Sequence, residues 1–222
     1  MEVCDWYRKN ISSKPKILEL PIIHEDELFR NELFLSIETA NKNIINYNLI
    51  GKKVLLFVGR LVDVKNLPFL MNVVAKLKSS DWVLVVVGDG ELMSELKSLT
   101  KNLNISDKIH IIGRKEGREL ISWYIFAHIF ILPSTHEPFG AVVNEALLGG
   151  CNVLCSKLAG ASSLINETNG RLFDPHNNQD LLDCLEETLH GIKPLEKFID
   201  ELRVSKMPFT FKTKMEILFN KL

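Results

Sequence analysis

The sequence predicts an α/β protein built on a doubly wound, Rossmann-like parallel sheet. Three observations carry that expectation. Short runs that are apolar throughout recur along the chain, helix-spaced segments separate them, and glycine or proline punctuates several of their ends. A strand covered on both faces reads as a continuous apolar run, and strand–helix alternation produces right-handed βαβ units.

From Lys52 onward the alternation is regular. Strands are expected at Val54–Val58, Val83–Val87, Ile109–Ile112, Ile129–Leu132 and Asn152–Cys155, with a short sixth at Arg171–Phe173. Helices are expected at Leu67–Leu77, Glu91–Leu103, Arg118–Ala127 and Phe139–Leu148. Pro138 begins the last of these and Gly149-Gly150 ends it. Residues 1–50 have a different character. The first sixteen read as a linker or the remnant of a preceding domain, Ile17–Leu20 as a short strand and His24–Leu35 as a helix. Lys42–Ile50 gives no clear preference.

Composition narrows the classes. Of 222 residues, 46% are hydrophobic and 25% charged, which supplies one sizeable core and argues against disorder. The formal net charge of -1 provides no global field for nucleic acid or an anionic membrane, so an anion site must be local. No apolar run reaches the roughly 18 residues needed to span a bilayer. With no signal peptide at Met1–Asn10, the expected setting is the cytoplasm, with peripheral contact at the inner face of a membrane left open. Cys4, Cys151, Cys155 and Cys184 lack zinc-like spacing and read as free thiols, and neither His110, His128 nor His136 has a metal-ligand partner.

Ligands of doubly wound sheets bind beyond the carboxyl ends of the strands, near the switch in strand order. Two loops there hold suitable chemistry. The first, Gly59 to Asn66, has a glycine for a sharp exit and two cations, Arg60 and Lys65. A planar guanidinium and a compact ammonium together suit a diphosphate, although two unrelated surface charges give the same pattern. The second runs from His136 to Glu145. Were it helical, Glu137 and Glu145 would lie about 12 Å apart along the axis, the reach of a nucleotide-sugar from ribose to hexose. The amides of Gly140, Ala141 and Val142 between them suit phosphate. Glu145 lies among Val142, Val143, Ala146, Leu147 and Leu148, so its carboxylate needs a partner. Gly88-Asp89-Gly90 reads as a tight turn capping the next helix, because a dinucleotide glycine fingerprint is incomplete there. Gly113-Arg114 either meets a base with backbone groups or is a plain turn. No Asp-x-Asp pair is available to hold a metal-bound diphosphate, so no metal or other cofactor is expected.

These residues resemble the retaining GT-B glycosyltransferases of family 4, the glycosyl transferases group 1. Phe57-Val58-Gly59-Arg60-Leu61 with Lys65 is similar to that family's diphosphate loop. Leu132 to Gly140, continuing to Glu145, is similar to its Glu-x7-Glu signature, and Val87-Gly88-Asp89-Gly90 to a turn common between them. The resemblance implies a nucleotide-sugar donor site with Arg60, Lys65 and Glu137 as the catalytic set. Arg60 and Lys65 neutralise the departing diphosphate, and Glu137, helped by amides near Phe139 and Gly140, holds the donor sugar. Ala141 and Val142 face phosphate, and Glu145 takes ribose hydroxyls. Gly59 and Arg114 complete the donor set. The family often carries Asp where His128 stands, at a position that reads as structural.

The resemblance also implies the C-terminal half of a GT-B architecture: a donor domain over 17–208 and a closing helix within 209–222 that packs on an N-terminal acceptor domain or partner chain. Phe211, Ile217, Leu218 and Phe219 then either pack internally or form a homodimer contact. The expected function is binding an NDP-sugar for hexosyl transfer to a glycan or lipid acceptor. A sugar-phosphate synthase or phosphorylase of the same fold, and a non-catalytic nucleotide-sugar-binding module, are the alternatives.

Overall fold

A computed structural model describes residues 9–10 and 24–220 of the chain, so the expected linker and the Ile17–Leu20 strand fall largely or wholly outside the described residues. Six parallel strands form one sheet: β1 (Lys53–Val58), β2 (Trp82–Val87), β3 (Ile109–Ile111), β4 (Ile129–Leu132), β5 (Asn152–Ser156) and β6 (Gly170–Phe173). Their spatial order is β3-β2-β1-β4-β5-β6. The order reverses between β1 and β4, which places the ligand crevice of such a sheet above that pair.

The alternation of side chains along each strand divides the core in two. Val54, Leu56 and Val58 face one side, with Phe130 and Leu132 of β4. Leu55 and Phe57 face the other, with Ile129 and Ile131. The first side is covered by α1 (Asp26–Leu35), α2 (Ile37–Asn46), α5 (Gly117–Phe126) and α6 (Ala141–Leu148). The second is covered by α3 (Leu67–Val74), α4 (Met93–Asn102) and α7 (Asn178–His190). Both faces being apolar is why the strands read as unbroken runs. A last helix, α8 (Phe211–Phe219), has no buried residue and leaves Ile217 and Phe219 exposed.

Several expectations shift. The stretch around Lys42 belongs to α2, whose Ala40 and Ile44 are buried one turn apart. The helix from Leu67 stops at Val74, before Leu77. The expected Glu91–Leu103 helix runs from Met93 to Asn102. Helix α7 is an addition. Asn177 caps it by accepting from the amides of Gln179 and Asp180, and Leu181, Leu185 and Leu189 bury one face. The largest correction concerns α6. It begins at Ala141, with Gly140 as its N-cap at φ +80°, and Glu137 forms an isolated parallel bridge with Ala159. Residues 137–140 therefore lie outside the helix, so Pro138 does not open it and the 12 Å axial estimate does not apply.

His128 has a structural part. Its backbone N–H donates to the Val54 carbonyl at 2.8 Å, and its Nδ1 accepts from the Val54 N–H at 2.9 Å. Burial, then the charges of Arg203 and Lys53, lowers its imidazole to about 4, so the ring is a neutral acceptor. An Asp carboxylate offers the same acceptor at that place. Cys151, Cys155 and Cys184 are buried free thiols.

Candidate functional site

The loop leaving β1 contains a short 3-10 turn at Asp63–Lys65, then Asn66 in the left-handed region at φ 56°. It is tied to the loop leaving β4: Thr135 N–H donates to the Val64 carbonyl at 2.9 Å, and Asn66 Nδ2 reaches the carbonyls of Pro133 and Pro175. These ties hold the two loops side by side above the strand-order switch. Across them Lys65 Nζ pairs with Glu137 Oε2; the two side chains are 15% and 13% exposed. Lys65 also folds back over Gly59, with its Cε 3.7 Å from where a Gly59 Cβ would stand. An ammonium has three donors, and this pairing uses one, leaving the others for a ligand.

Glu137 is held from below. Its carbonyl accepts from Gly160 N–H at 2.8 Å, and a Cβ on Gly160 would stand 2.1 Å from the Pro138 carbonyl oxygen. The β5–β6 connection can therefore approach this loop only as glycine. Beneath it, burial and then the Glu137 charge push the Cys155 thiol up to about 12, leaving it an inert neutral sulfur.

Beside the ion pair lies a cleft of about 770 Å³ at the carboxyl ends of β1 and β2. Gly59 and Arg60 form one wall, Gly88, Asp89 and Gly90 another, and Arg114 and Lys115 a third. Arg60 is exposed and has no side-chain partner among the described residues. Arg114 pairs with Glu116 at the surface. The Gly88-Asp89-Gly90 segment is more than a helix-capping turn. It extends strand pairing beyond β1 and β2: Gly59 N–H donates to Val87 O, Leu61 N–H to Asp89 O, and Gly88 N–H to Gly113 O. Asp89 accepts from its neighbour Gly90, and α4 has no side-chain cap. A Cβ at Gly88 would lie 1.8 Å from the Gly59 carbonyl oxygen, so the close backbone approach requires glycine.

At α6 the amides of Phe139, Gly140, Ala141 and Val142 have no backbone partner among the described residues. They form an open helix start facing the loop side, with Phe139 itself 63% exposed. Glu145 is one turn further on and is not part of the cleft wall. Its Oε2 accepts from the buried Tyr124 hydroxyl at 2.6 Å, and its Oε1 stands 3.4 Å from His24 Nε2. The partner that Glu145 needs is thus a phenol 21 residues earlier, which sequence inspection did not single out. The structure brings Gly59, Arg60 and Arg114 together at the cleft and Lys65 with Glu137 beside it; Glu145 lies further along α6, bonded to Tyr124 of α5. Lys115 and Leu120, also on the cleft wall, were missed because neither belongs to a recognisable motif.

Among the described residues no helix is long and apolar enough to cross a membrane.

Comparison with known proteins bears on the family and the fold. The family described as Glycosyl transferases group 1 matches residues 41–204. An uncharacterized glycosyltransferase of Methanocaldococcus jannaschii is 34% identical over 128 residues, 57% of this chain and 33% of its own length. A 2-deoxystreptamine N-acetyl-D-glucosaminyltransferase of Niallia circulans is 26% identical, over 81% of this chain and 46% of its own. Among solved structures, a glycosyltransferase of Rickettsia africae superposes with a TM-score of 0.72 at 21% identity, covering 99% of this chain and 56% of that one. A sucrose-phosphate synthase of Thermosynechococcus elongatus gives 0.70 at 22%, covering 98% and 55%. The chain spans a third to about half the length of these relatives, and the structural likeness carries the fold alone. The match over residues 41–204, together with the doubly wound sheet shared with these GT-B glycosyltransferases, shows that the chain belongs to the glycosyl transferases group 1 family.

Proposed function

We propose that the chain binds a nucleotide-diphosphate sugar for transfer of a hexosyl group to a glycan or lipid acceptor, with retention at the anomeric carbon. The observation that carries the reading is the Lys65–Glu137 pair, set over the strand-order switch and beside a cleft that Arg60 lines. In this reading the diphosphate lies between Arg60, the unused donors of Lys65 and the open amides of Ala141 and Val142. These groups stabilise charge that grows as the nucleotide departs, a task assigned to the protein rather than to a metal. Glu137 accepts from hydroxyls of the sugar through the oxygen Lys65 leaves free. Glu145 accepts from the ribose. The base occupies the cleft beside Gly113 and Arg114. The acceptor is met by a further domain or partner chain, so the chain alone binds donor without turnover.

Titration calorimetry with UDP, GDP and ADP, repeated for Arg60→Ala and Glu145→Ala, tests this reading. The expected result is saturable binding of one nucleotide, weakened in both variants. A folded chain that binds none of the three overturns it.

A further inference from the structure

Among the described residues, one oxygen of the Glu145 carboxylate is held by a hydrogen bond and the other is not. Tyr124 is fully buried, its ring tilted against Phe130 at 6.1 Å between centroids, and its hydroxyl donates to Glu145 Oε2 at 2.6 Å. The other oxygen, Oε1, is near His24 Nε2 at 3.4 Å, yet that nitrogen makes no hydrogen bond among the described residues. One oxygen is engaged and one is left to accept.

Tyr124 is itself rigidly placed. Its carbonyl accepts from Arg203 Nη2 at 2.8 Å and from the Cys151 thiol at 3.4 Å. A Cβ at Gly149 would stand 2.7 Å from that carbonyl oxygen and 2.8 Å from the Tyr124 Cβ, so the ends of α5 and α6 meet at backbone contact. Burial, and then the Glu145 charge, raises the phenol well above its usual range, so it remains a donor at neutral pH. Glu145 follows Ala141 by four residues, which puts it on the same face of α6 and about 6 Å along the axis from the Ala141 amide. That offset matches the step from a diphosphate to the ribose it esterifies.

We propose that Tyr124 is a positioning residue for ribose recognition: its hydroxyl fixes one oxygen of Glu145 so that the other is presented to the vicinal hydroxyls of a nucleoside diphosphate. The inference rests on the reading of Glu145 as the ribose ligand. Without the phenol the carboxylate turns about its side-chain torsions, and its ordering must be supplied on binding. Selection for ribose over deoxyribose is then set by a residue that never touches the nucleotide.

The test is calorimetric titration of the full chain with UDP, GDP and ADP, followed by the 2′-deoxy form of whichever binds. The unaltered chain should prefer the ribonucleotide by about tenfold or more, because a site built to hydrogen-bond a hydroxyl discriminates strongly against its absence. Glu145→Gln should lose most of that preference. Tyr124→Phe should bind the ribonucleotide roughly tenfold more weakly and the 2′-deoxy nucleotide within about twofold of the unaltered chain, since only the hydroxyl-reading interaction is loosened. An unaltered chain with no preference defeats the Glu145 reading. A preference lost in Glu145→Gln but intact in folded Tyr124→Phe defeats the role of Tyr124 alone. A second measurement needs no change at Tyr124. Its bonded hydroxyl proton should give a slowly exchanging NMR resonance, absent in Glu145→Ala, that shifts with the ribonucleotide and not with the 2′-deoxy form; equal response to both overturns the proposal.

Discussion

Lys65 and Glu137 reach each other from loops that leave different strands, 72 residues apart in sequence, and their pairing bridges the point where the strand order reverses. Each is the other's compensation in a largely desolvated place. Removing one strands its partner, a larger penalty than the pair's net worth. Lys65→Ala should destabilise the chain by about 2 kcal/mol, with Glu137→Ala comparable and the double variant costing clearly less than the sum. Urea unfolding of the four proteins measures the coupling, and additive losses would contradict it.

Arg60 should behave in the opposite way. It is exposed and has no side-chain partner among the described residues, so Arg60→Ala should lower stability by less than about 0.5 kcal/mol while weakening nucleotide binding and flattening its salt dependence. A variant of unchanged affinity and salt slope would remove Arg60 from the diphosphate site.

Gly88→Ala is expected to be among the costliest single changes in the chain. The added carbon would stand 1.8 Å from the Gly59 carbonyl, at a backbone φ of +153°. Separating the two loops breaks pairing and displaces the site wall, for a loss of roughly 3 kcal/mol or more. Thermal unfolding reads the stability loss, and a neutral result would mean that the loops are not in contact.

His128 predicts a pH dependence. Its imidazole is lowered to about 4 in the folded chain against 6.5 unfolded, so the unfolded state binds the extra proton between those values. Stability is complete above pH 6.5, falls as pH drops through that window, and levels off below about 4, for a total on the order of 3 kcal/mol. His110 is lowered by burial and adds to the same slope. His128→Asn keeps an acceptor for the Val54 amide without titrating there. Urea midpoints from pH 7.5 to 4.5 should decline less in that variant, and identical slopes would clear His128 of the effect.

The sheet was legible because both of its faces are covered. Runs such as Val54–Val58 and Val83–Val87 cannot alternate with polar residues when helices lie above and below, and each was placed within about a residue of the observed strand. Helix α7 was not, since its surface carries Glu186, Glu187 and other polar residues and its apolar stripe is narrow. At the site, the two loops and their charged residues could be read from spacing, because loop position follows from strand order. Partner choice could not. Lys65 with Glu137, Tyr124 with Glu145 and Gly160 under Pro138 are pairings made by topology, between segments that share no local pattern. The helical reading of 137–140 failed for a related reason: Glu137 is bridged to Ala159 of a later connection, and the helix starts only after Gly140.

The guanidinium groups of Arg30 and Arg203 give α6 an unusual dependence on distant parts of the chain. Arg30 donates to the carbonyls of Leu148 and Arg203, and Arg203 to those of Tyr124 and Gly149, while Lys206 N–H reaches Leu147 O. The helix bearing Glu145 is therefore fastened by a residue near position 30 and by others beyond position 200. During synthesis on a ribosome, the strands and their early crossovers can assemble as they emerge, but this fastening must wait until residues 203–206 have left the exit tunnel. The proposed ribose contact would then be ordered only after the sheet, and a chain shortened before position 203 should keep a well-formed sheet with a loosely held Glu145.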